Sequence, residues 1–413
     1  MSVTSPTCRS CHTPLQHTFA DLGVSPLANA FLRPDQLHEM EPFYALHAYV
    51  CEQCFLVQLE ELESAGNIFT DYAYFSSYSD TWLRHAKNYT DYVIKRFALD
   101  PTSHVVEIAS NDGHLLRYFQ QRDIPVLGIE PAQNVAKVAI DAGVPTLAQF
   151  FGETTANQLA AEDKYADLLL GNNVLAHVPD LNGFVRATKV LLKPRGVITM
   201  EFPHLLRLME GNQFDTIYHE HFSYFSLLAA QHVFASHRLT VFDVEQLTTH
   251  GGSLRLFVRH AEDDTKPVSE RVSALLTQEK LAGLDSLQTY AHFSEHVGET
   301  KRALLEFLIN AKREGKSIAA YGAPAKGNTL LNYCGIRTDF IDYTVDRNPY
   351  KQGRYLPGTH IPIFHPDKVK DTKPDYLLIL PWNLMDEIVQ QMAYIRAWAG
   401  TFVVPIPTVE LVP

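Results

Sequence analysis

The chain has 413 residues, of which 46% are hydrophobic, and its formal net charge is −12. At roughly 150 residues per domain this length accommodates two or three domains, each able to bury a core. The acidic balance argues against nucleic acid as the main partner, because phosphate binding needs a positive face, and no apolar run is long enough to cross a bilayer.

The N-terminus, Met1-Ser-Val-Thr-Ser-Pro, lacks the basic and apolar regions of a secretory signal. A cytoplasmic address with reduced cysteines is the expectation. Four of the five cysteines fall in two pairs, Cys8-Arg-Ser-Cys11 and Cys51-Glu-Gln-Cys54. Paired C-x-x-C knuckles bring four thiolates onto one tetrahedral zinc, and an all-thiolate shell is a structural site without catalytic zinc. The long gap between the knuckles must contain a strand or a loop excursion. A redox dithiol fits two separated pairs less well.

Asp71-Tyr-Ala-Tyr-Phe-Ser-Ser-Tyr-Ser79 is rich in aromatics and hydroxyls. It reads either as an interdomain packing segment or as a lid whose phenols, Tyr72, Tyr74 and Tyr78, reach an active site. A helix follows from Thr81. Next, Val105-Val-Glu-Ile-Ala-Ser-Asn-Asp-Gly113 predicts a buried strand that breaks into a tight turn and opens a helix at His114. Gly128-Ile-Glu-Pro131 predicts the neighbouring strand, ending in an acid. Backbone N–H groups at such a turn can approach a ligand closely, and Glu130 can accept both hydroxyls of a ribose.

A dinucleotide fold would prefer G-x-G-x-x-G at this turn. Here the turn carries Glu107, Ala109, Asn111 and Gly113. A negative strand end suits S-adenosylmethionine (AdoMet), with its sulfonium, ammonium and ribose, better than a diphosphate. Ala166-Asp-Leu-Leu-Leu-Gly-Asn-Asn173 is a near-continuous apolar strand of the kind buried in parallel sheets. Lys193-Pro-Arg-Gly196 is a turn before another buried strand. One sheet edge therefore carries Glu107, Glu130, Asn172, Asn173, His177 and Glu201, where ligands bind in open α/β sheets.

Thr216-Ile-Tyr-His-Glu-His-Phe-Ser-Tyr-Phe225 packs Tyr218, Glu220 and His221 into four positions. A histidine beside a carboxylate is a natural general base. His219 and His221 point to opposite sides if the segment is extended, and no further ligand is spaced to complete a metal site there. Thr249-His-Gly-Gly-Ser-Leu-Arg255 can hold a phosphate or a sugar hydroxyl through backbone, Ser253 and Arg255. Val268 to about Lys316 reads as a helical connector. The last hundred residues predict a second α/β unit around Ser317-Ile-Ala-Ala-Tyr-Gly-Ala-Pro-Ala-Lys-Gly-Asn328. Ala323-Pro-Ala stands where a glycine fingerprint would, which disfavours NAD. Lys326 and Asn328 at the helix start can receive an anion such as a substrate diphosphate.

As an ordered set these motifs resemble the AdoMet-dependent C-methyltransferases that act on nucleotide-linked 4-keto-deoxysugars. The resemblance covers the whole chain. It rests on the two knuckles with Pro26-Leu-Ala-Asn29 between them, Leu56-Val-Gln-Leu59, Glu107-x-x-x-Asn-Asp-Gly113 and Gly128-Ile-Glu-Pro131. It continues through Asn173-Val-Leu-Ala-His-Val-Pro179, Tyr218-His-Glu-His221, His250-Gly-Gly-Ser-Leu-Arg255 and Tyr321-Gly-Ala-x-Ala-Lys-Gly327. Family members often carry Gly where Ala109 stands. The implied α/β architecture is a zinc-binding N-terminal domain over 1–75, a class I (Rossmann-like) AdoMet methyltransferase domain over 76–265, and a helical connector with a Rossmann-like domain over 266–413.

The implied reaction is C-methylation alpha to the keto group, at C-3. His221 is implied as the base, with Glu220 and Tyr218 orienting it or bonding the sugar. His177 is implied as a holder of the keto oxygen or an alternative base. The expected partner is a nucleotide-diphosphate sugar, and the expected state is a monomer or small homo-oligomer. The rival readings are O- or N-methylation of a small metabolite and a nicotinamide-dependent sugar oxidoreductase.

Overall fold

The computed structural model describes residues 6–63, 66, 77 and 80–413. Tyr72, Tyr74 and Tyr78 lie outside the described residues. Among the described residues, no helix is long and apolar enough to cross a membrane.

The gap between the cysteine pairs holds two strands. β1 (His17–Ser25) and β2 (Tyr44–Val50) pair antiparallel, and β2 pairs with β3 (Val57–Leu59) just after the second knuckle. Each knuckle closes through a left-handed residue, His12 (φ 62°) and Phe55 (φ 55°). Their N–H groups return to the carbonyls of Cys8 and Cys51 at 2.9 and 3.0 Å.

The central unit begins with α1 (Asp80–Phe97). It continues through β4 (Val105–Ile108), α2 (Leu116–Gln120), β5 (Val126–Ile129), α3 (Gln133–Asp141), β6 (Thr146–Leu147), α4 (Glu153–Ala161), β7 (Ala166–Asn172), α5 (Leu181–Leu191) and β8 (Leu192–Pro203). β4 to β8 are parallel, as their unbroken apolar runs require. α5 starts at Asp180, whose carboxylate accepts the Gly183 N–H at 2.9 Å, a cap that contributes about 1 kcal/mol. The predicted turn at Lys193–Gly196 is an excursion inside β8: Ala166 faces Leu192, but Leu168 faces Val197.

Beyond β8 come α6 (Leu205–Glu210), β9 (Ser223–Tyr224), α7 (Leu227–Ser236), β10 (Leu239–Leu247) and β11 (Ser253–His260). β10 and β11 complete a seven-stranded sheet of order β10-β11-β8-β7-β4-β5-β6, with β11 antiparallel to both neighbours. β9 leaves this unit and pairs antiparallel with β3, so the N-terminal sheet reads β1-β2-β3-β9.

The connector is two helices, α8 (Glu270–Leu281) and α9 (Leu287–Arg313), where the sequence reads as one helical stretch. The break falls at Gly283, whose φ of +81° suits glycine. The C-terminal unit contains β12 (Ile318–Tyr321), α10 (Ala325–Cys334), β13 (Thr344–Val345), β14 (Ile363–Phe364), β15 (Tyr376–Ile379), β16 (Thr401–Val404) and β17 (Glu410–Val412), in the order β14-β13-β12-β15-β16-β17. Its first five strands repeat the arrangement of β6-β5-β4-β7-β8.

The three sheets share cores. One apolar cluster joins Cys8, Cys54 and Leu56 to Val106, Leu169 and Phe202 of the central sheet. A second joins Phe19 and Leu46 through α9 to Ile318, Leu330 and Leu378. Phe19 stacks on Phe293 with ring centres 4.5 Å apart. The segment from α6 to β9 is therefore packed from both sides.

Candidate active site

The sheet edge expected to hold the cofactor is built from the C-terminal ends of β4, β5 and β7. Glu107 is buried, and its Oε2 has no hydrogen-bond partner among the described residues. Burial, then the nearby Glu130 and Asp112 charges, push its carboxyl well above the ordinary range. After Glu107 the chain takes three left-handed residues, Ala109 (φ 55°), Asn111 (φ 50°) and Gly113 (φ 73°). This conformation costs a non-glycine residue of order 1 kcal/mol, so surrounding contacts must hold it. Glu130 does so: its carboxylate accepts the N–H groups of Asn111 and Ala132, both at 2.9 Å. A Cβ on Gly128 would lie 2.5 Å from the Ser110 hydroxyl, so glycine lets the turn lie flat against β5. The half-buried Asn172 ends β7, and Asn173 turns out of it at φ 54°.

Ser77 belongs to the aromatic stretch, and its N–H donates to Asp112 at 3.1 Å. Burial raises the Asp112 carboxyl, but hydrogen bonds from His114 and Ser77 outweigh it and hold the group at about 2.

Across the edge lies the segment from Thr216 to Phe222. The Tyr218 hydroxyl donates to His221 Nε2 at 2.9 Å, and His221 Nδ1–H donates to the Thr216 carbonyl at 2.9 Å. His177 Nδ1–H donates to the Glu220 carbonyl at 2.7 Å. The two imidazoles meet edge to face, 4.7 Å between centres. Both residues are half-buried, and enclosure dominates the chemistry of their rings. Burial lowers His177 to about 4. Burial, then His177, His250 and Lys326, drive His221 well below the usual histidine range. Both are neutral bases at physiological pH. His219 turns the other way, to the Ala45 carbonyl at 3.1 Å.

Glu220 is buried and accepts from the Asn29 amide at 2.6 Å. Burial raises its carboxyl to about 7, against the opposing effects of Asn29 and Lys351. His250, left-handed at φ 54°, accepts from Asn173 Nδ2 at 3.2 Å and lies 5.4 Å from the Trp82 ring. Burial brings it to about 4.

The C-terminal unit brings Lys326 into electrostatic range of His221 and His250. Lys326 donates to Asn383 at 2.6 Å and sits 4.3 Å over the Trp382 ring. The Trp382 indole donates to buried Asp215 at 2.7 Å. Asn328 reaches back to the Ala28 carbonyl at 2.6 Å. The acid ending β13, Asp346, accepts the N–H groups of Ala323 and Asn348 at 2.7 and 2.8 Å, so its carboxylate closes the local turn.

Three of the edge and loop residues face elsewhere. Glu201 is fully buried against Arg255 at 2.7 Å, His85 at 2.9 Å and Thr249 at 3.1 Å. Arg255 continues to Glu245 at 3.3 Å and lies 4.6 Å over Tyr89. Ser253 is buried and donates to the Thr249 carbonyl at 2.9 Å. These contacts stitch β8, β10 and β11 together behind the cleft. Sequence reasoning passed over Asn29, Trp82, Asp215, His250, Lys351 and Trp382 as site neighbours. Asn29 and His250 stand inside motifs already singled out. Lys351 and Trp382 carry no local signal, because only the packing of the C-terminal sheet brings them here.

At the other end of β3, Cys8, Cys11, Cys51 and Cys54 bring their sulfurs within 4.8 Å of one another. Four thiols at this separation fit one tetrahedral zinc. The first knuckle is clamped to the central unit: Arg9 donates to the Pro179 carbonyl at 2.8 Å, and Asn182 donates to the carbonyls of Arg9 and Ser10 at 3.0 Å.

Three family models match in sequence: a zinc binding domain over residues 8–69, a methyltransferase domain over 82–242 and a C-methyltransferase C-terminal domain over 248–407. The chain is 34% identical over 400 residues to the C-methyltransferase NovU of Streptomyces niveus, covering 97% of this chain and 95% of that protein. The chain belongs to this C-methyltransferase family. It is an AdoMet-dependent C-methyltransferase with a structural zinc. A ubiquinone biosynthesis O-methyltransferase of Bartonella tribocorum is 33% identical over 95 residues, 23% of this chain and 38% of that one. Magnesium protoporphyrin IX methyltransferase of Synechocystis superposes over 49% of this chain and 100% of its own, at 12% identity and a TM-score of 0.36.

In this C-methyltransferase the unpartnered Glu107 oxygen and the Glu130 carboxylate lie at the ends of neighbouring parallel strands. The turn from Ala109 to Gly113 beside them is enclosed, with Ser110 and Asp112 fully buried.

Proposed function

We propose that the enzyme methylates a nucleotide-linked 4-keto-deoxysugar at the carbon alpha to the ketone, C-3. The observation that carries this reading is the Tyr218–His221–Thr216 hydrogen-bond chain at the cofactor edge. A carbon becomes nucleophilic only after it loses a proton, and the proton beside a carbonyl can leave because the oxygen takes up the charge. The site therefore needs a neutral base and a donor for that oxygen.

The Thr216 carbonyl fixes the tautomer of His221, so that Nε2 is the accepting atom. The Tyr218 hydroxyl already occupies that lone pair, so the sugar's proton reaches His221 through that hydroxyl. The imidazolium that forms is disfavoured by burial. Negative charge developing on the sugar oxygen offsets this, so the base is strong only when a substrate is in place. His177, its tautomer fixed by the Glu220 carbonyl, presents the bare Nε2 of a neutral ring and so serves as an alternative base rather than as a donor to the keto oxygen. Glu220 accepts a sugar hydroxyl. Lys326, beside Trp382, receives the diphosphate. AdoMet, when bound, supplies an electrophilic methyl group.

Incubation with AdoMet and a panel of nucleotide-linked keto sugars tests the reading. The expected product gains the mass of one methyl group, on carbon. Methyl transfer confined to oxygen or nitrogen would overturn it.

A further inference from the structure

We propose that Asn29, before the N-terminal sheet's second strand, and Lys351, in the loop after β13, are positioning residues that keep Glu220 an accepting carboxylate at the reaction centre. The inference rests on the reading that Glu220 bonds the sugar, and it adds a role for two residues outside the central unit.

Glu220 is a junction of all three sheets. Its backbone carbonyl fixes His177 of the central unit at 2.7 Å. Its side chain accepts a hydrogen bond at 2.6 Å from Asn29 of the N-terminal unit. Lys351 approaches from the C-terminal unit. Its ammonium is held by the Ala323 carbonyl at 2.7 Å and lies 4.9 Å over Phe31, two residues after Asn29. Leu32 and Tyr355 exchange backbone hydrogen bonds at 3.0 and 2.9 Å, which fixes these two loops to each other. The Asn29 donor and the Lys351 charge thus move as one body against Glu220.

Among the described residues, Lys351 is the cation that acts on the carboxylate. His177 and His221 are neutral, and His219 faces Ala45. Lys351 favours the Glu220 anion, and Glu220 and Asp346 in turn favour the Lys351 ammonium against the burial that lowers it. Replacing Lys351 by methionine removes the charge while keeping the length of the side chain. An opposite charge close to a carboxyl is worth about one pH unit or more. A substrate hydroxyl is then accepted only at higher pH.

The test compares the parent enzyme with Lys351→Met, Lys351→Gln and Asn29→Ala. Two readouts are taken. One is the acid limb of kcat/KM against pH with a keto-sugar substrate. The other is an infrared titration of the ligand-free protein, in which the carboxyl band missing from Glu220→Gln reports Glu220. The expected result is that all three variants move the acid limb and the band titration upward by about one pH unit. Unchanged band titrations in folded Lys351 variants would overturn the inference. A shifted band with an unmoved acid limb would also overturn it. Failure to methylate any keto sugar would instead count against the substrate reading, and the infrared titration would still decide whether Lys351 and Asn29 govern Glu220.

Discussion

The Tyr218 hydroxyl donates to His221 Nε2 at 2.9 Å, and the two rings are 4.1 Å apart centre to centre. This contact joins a phenol to a neutral imidazole whose other nitrogen is already committed to the Thr216 carbonyl. In the proposed mechanism a proton passes from the phenol to Nε2 of the imidazole, which holds it as an imidazolium.

His221→Asn removes the terminal acceptor of that relay. Methylation should fall by about 10²–10⁴-fold, the usual contribution of a positioned base. Binding of S-adenosylhomocysteine should be retained, because the proposed cofactor residues, Glu107 and Glu130, belong to the β4 and β5 ends and not to this segment. Tyr218→Phe should give a loss of similar size. Steady-state rates and calorimetry separate the two effects.

Glu130 accepts two backbone N–H groups in this structure and is the proposed acceptor of the AdoMet ribose. Glu130→Gln should weaken S-adenosylhomocysteine binding by about tenfold to a hundredfold, as expected for losing hydrogen bonds to a charged acceptor. Calorimetry reads this directly.

The raised carboxyl of Glu220 has a consequence for stability. Its folded value, about 7, lies above its ordinary value of 4.5. Between those values the folded state binds more protons than the unfolded chain, so this group's contribution falls as pH rises. Glu220→Gln removes the term and keeps an acceptor for Asn29. The urea midpoint of the variant relative to the parent should therefore rise between pH 5 and pH 8, by up to about 3 kcal/mol in free energy. A pH-independent difference would count against the buried carboxyl.

The four thiols predict one zinc per chain by metal analysis, and Cys51→Ser should lose it. Because Arg9 and Asn182 bind the first knuckle to the start of α5, removing zinc with a chelator should lower the melting temperature of the whole chain. A separate early transition of the N-terminal part alone would show that the clamp carries little.

Much of this arrangement was legible in the residues. The apolar run from Ala166 to Gly171 reads directly as a buried strand, and the C-x-x-C pairs read as one metal site, because both patterns are local. His219 and His221 have different partners, but the segment is a turn closed by the His221 N–H on the Tyr218 carbonyl at 2.8 Å, so the alternation of an extended strand does not explain it. What stayed hidden is long-range. Arg255 beside Gly-Gly suggests an anion site, yet Glu201 and Glu245 engage it from neighbouring strands. β9 looks like part of a histidine-rich loop, and only its pairing with β3 makes it a strand. Lys351 reaches Glu220 because two loops, from opposite ends of the chain, dock through Leu32 and Tyr355.

The most direct test of the account follows the hydrogen on the carbon beside the ketone. A nucleotide-linked keto sugar deuterated at that position is incubated with the enzyme and AdoMet, and the product is weighed by mass spectrometry. The account predicts that deuterium is lost and a methyl group gained at the same carbon, and that His221→Asn suppresses both. A methylated product that keeps its deuterium would contradict it.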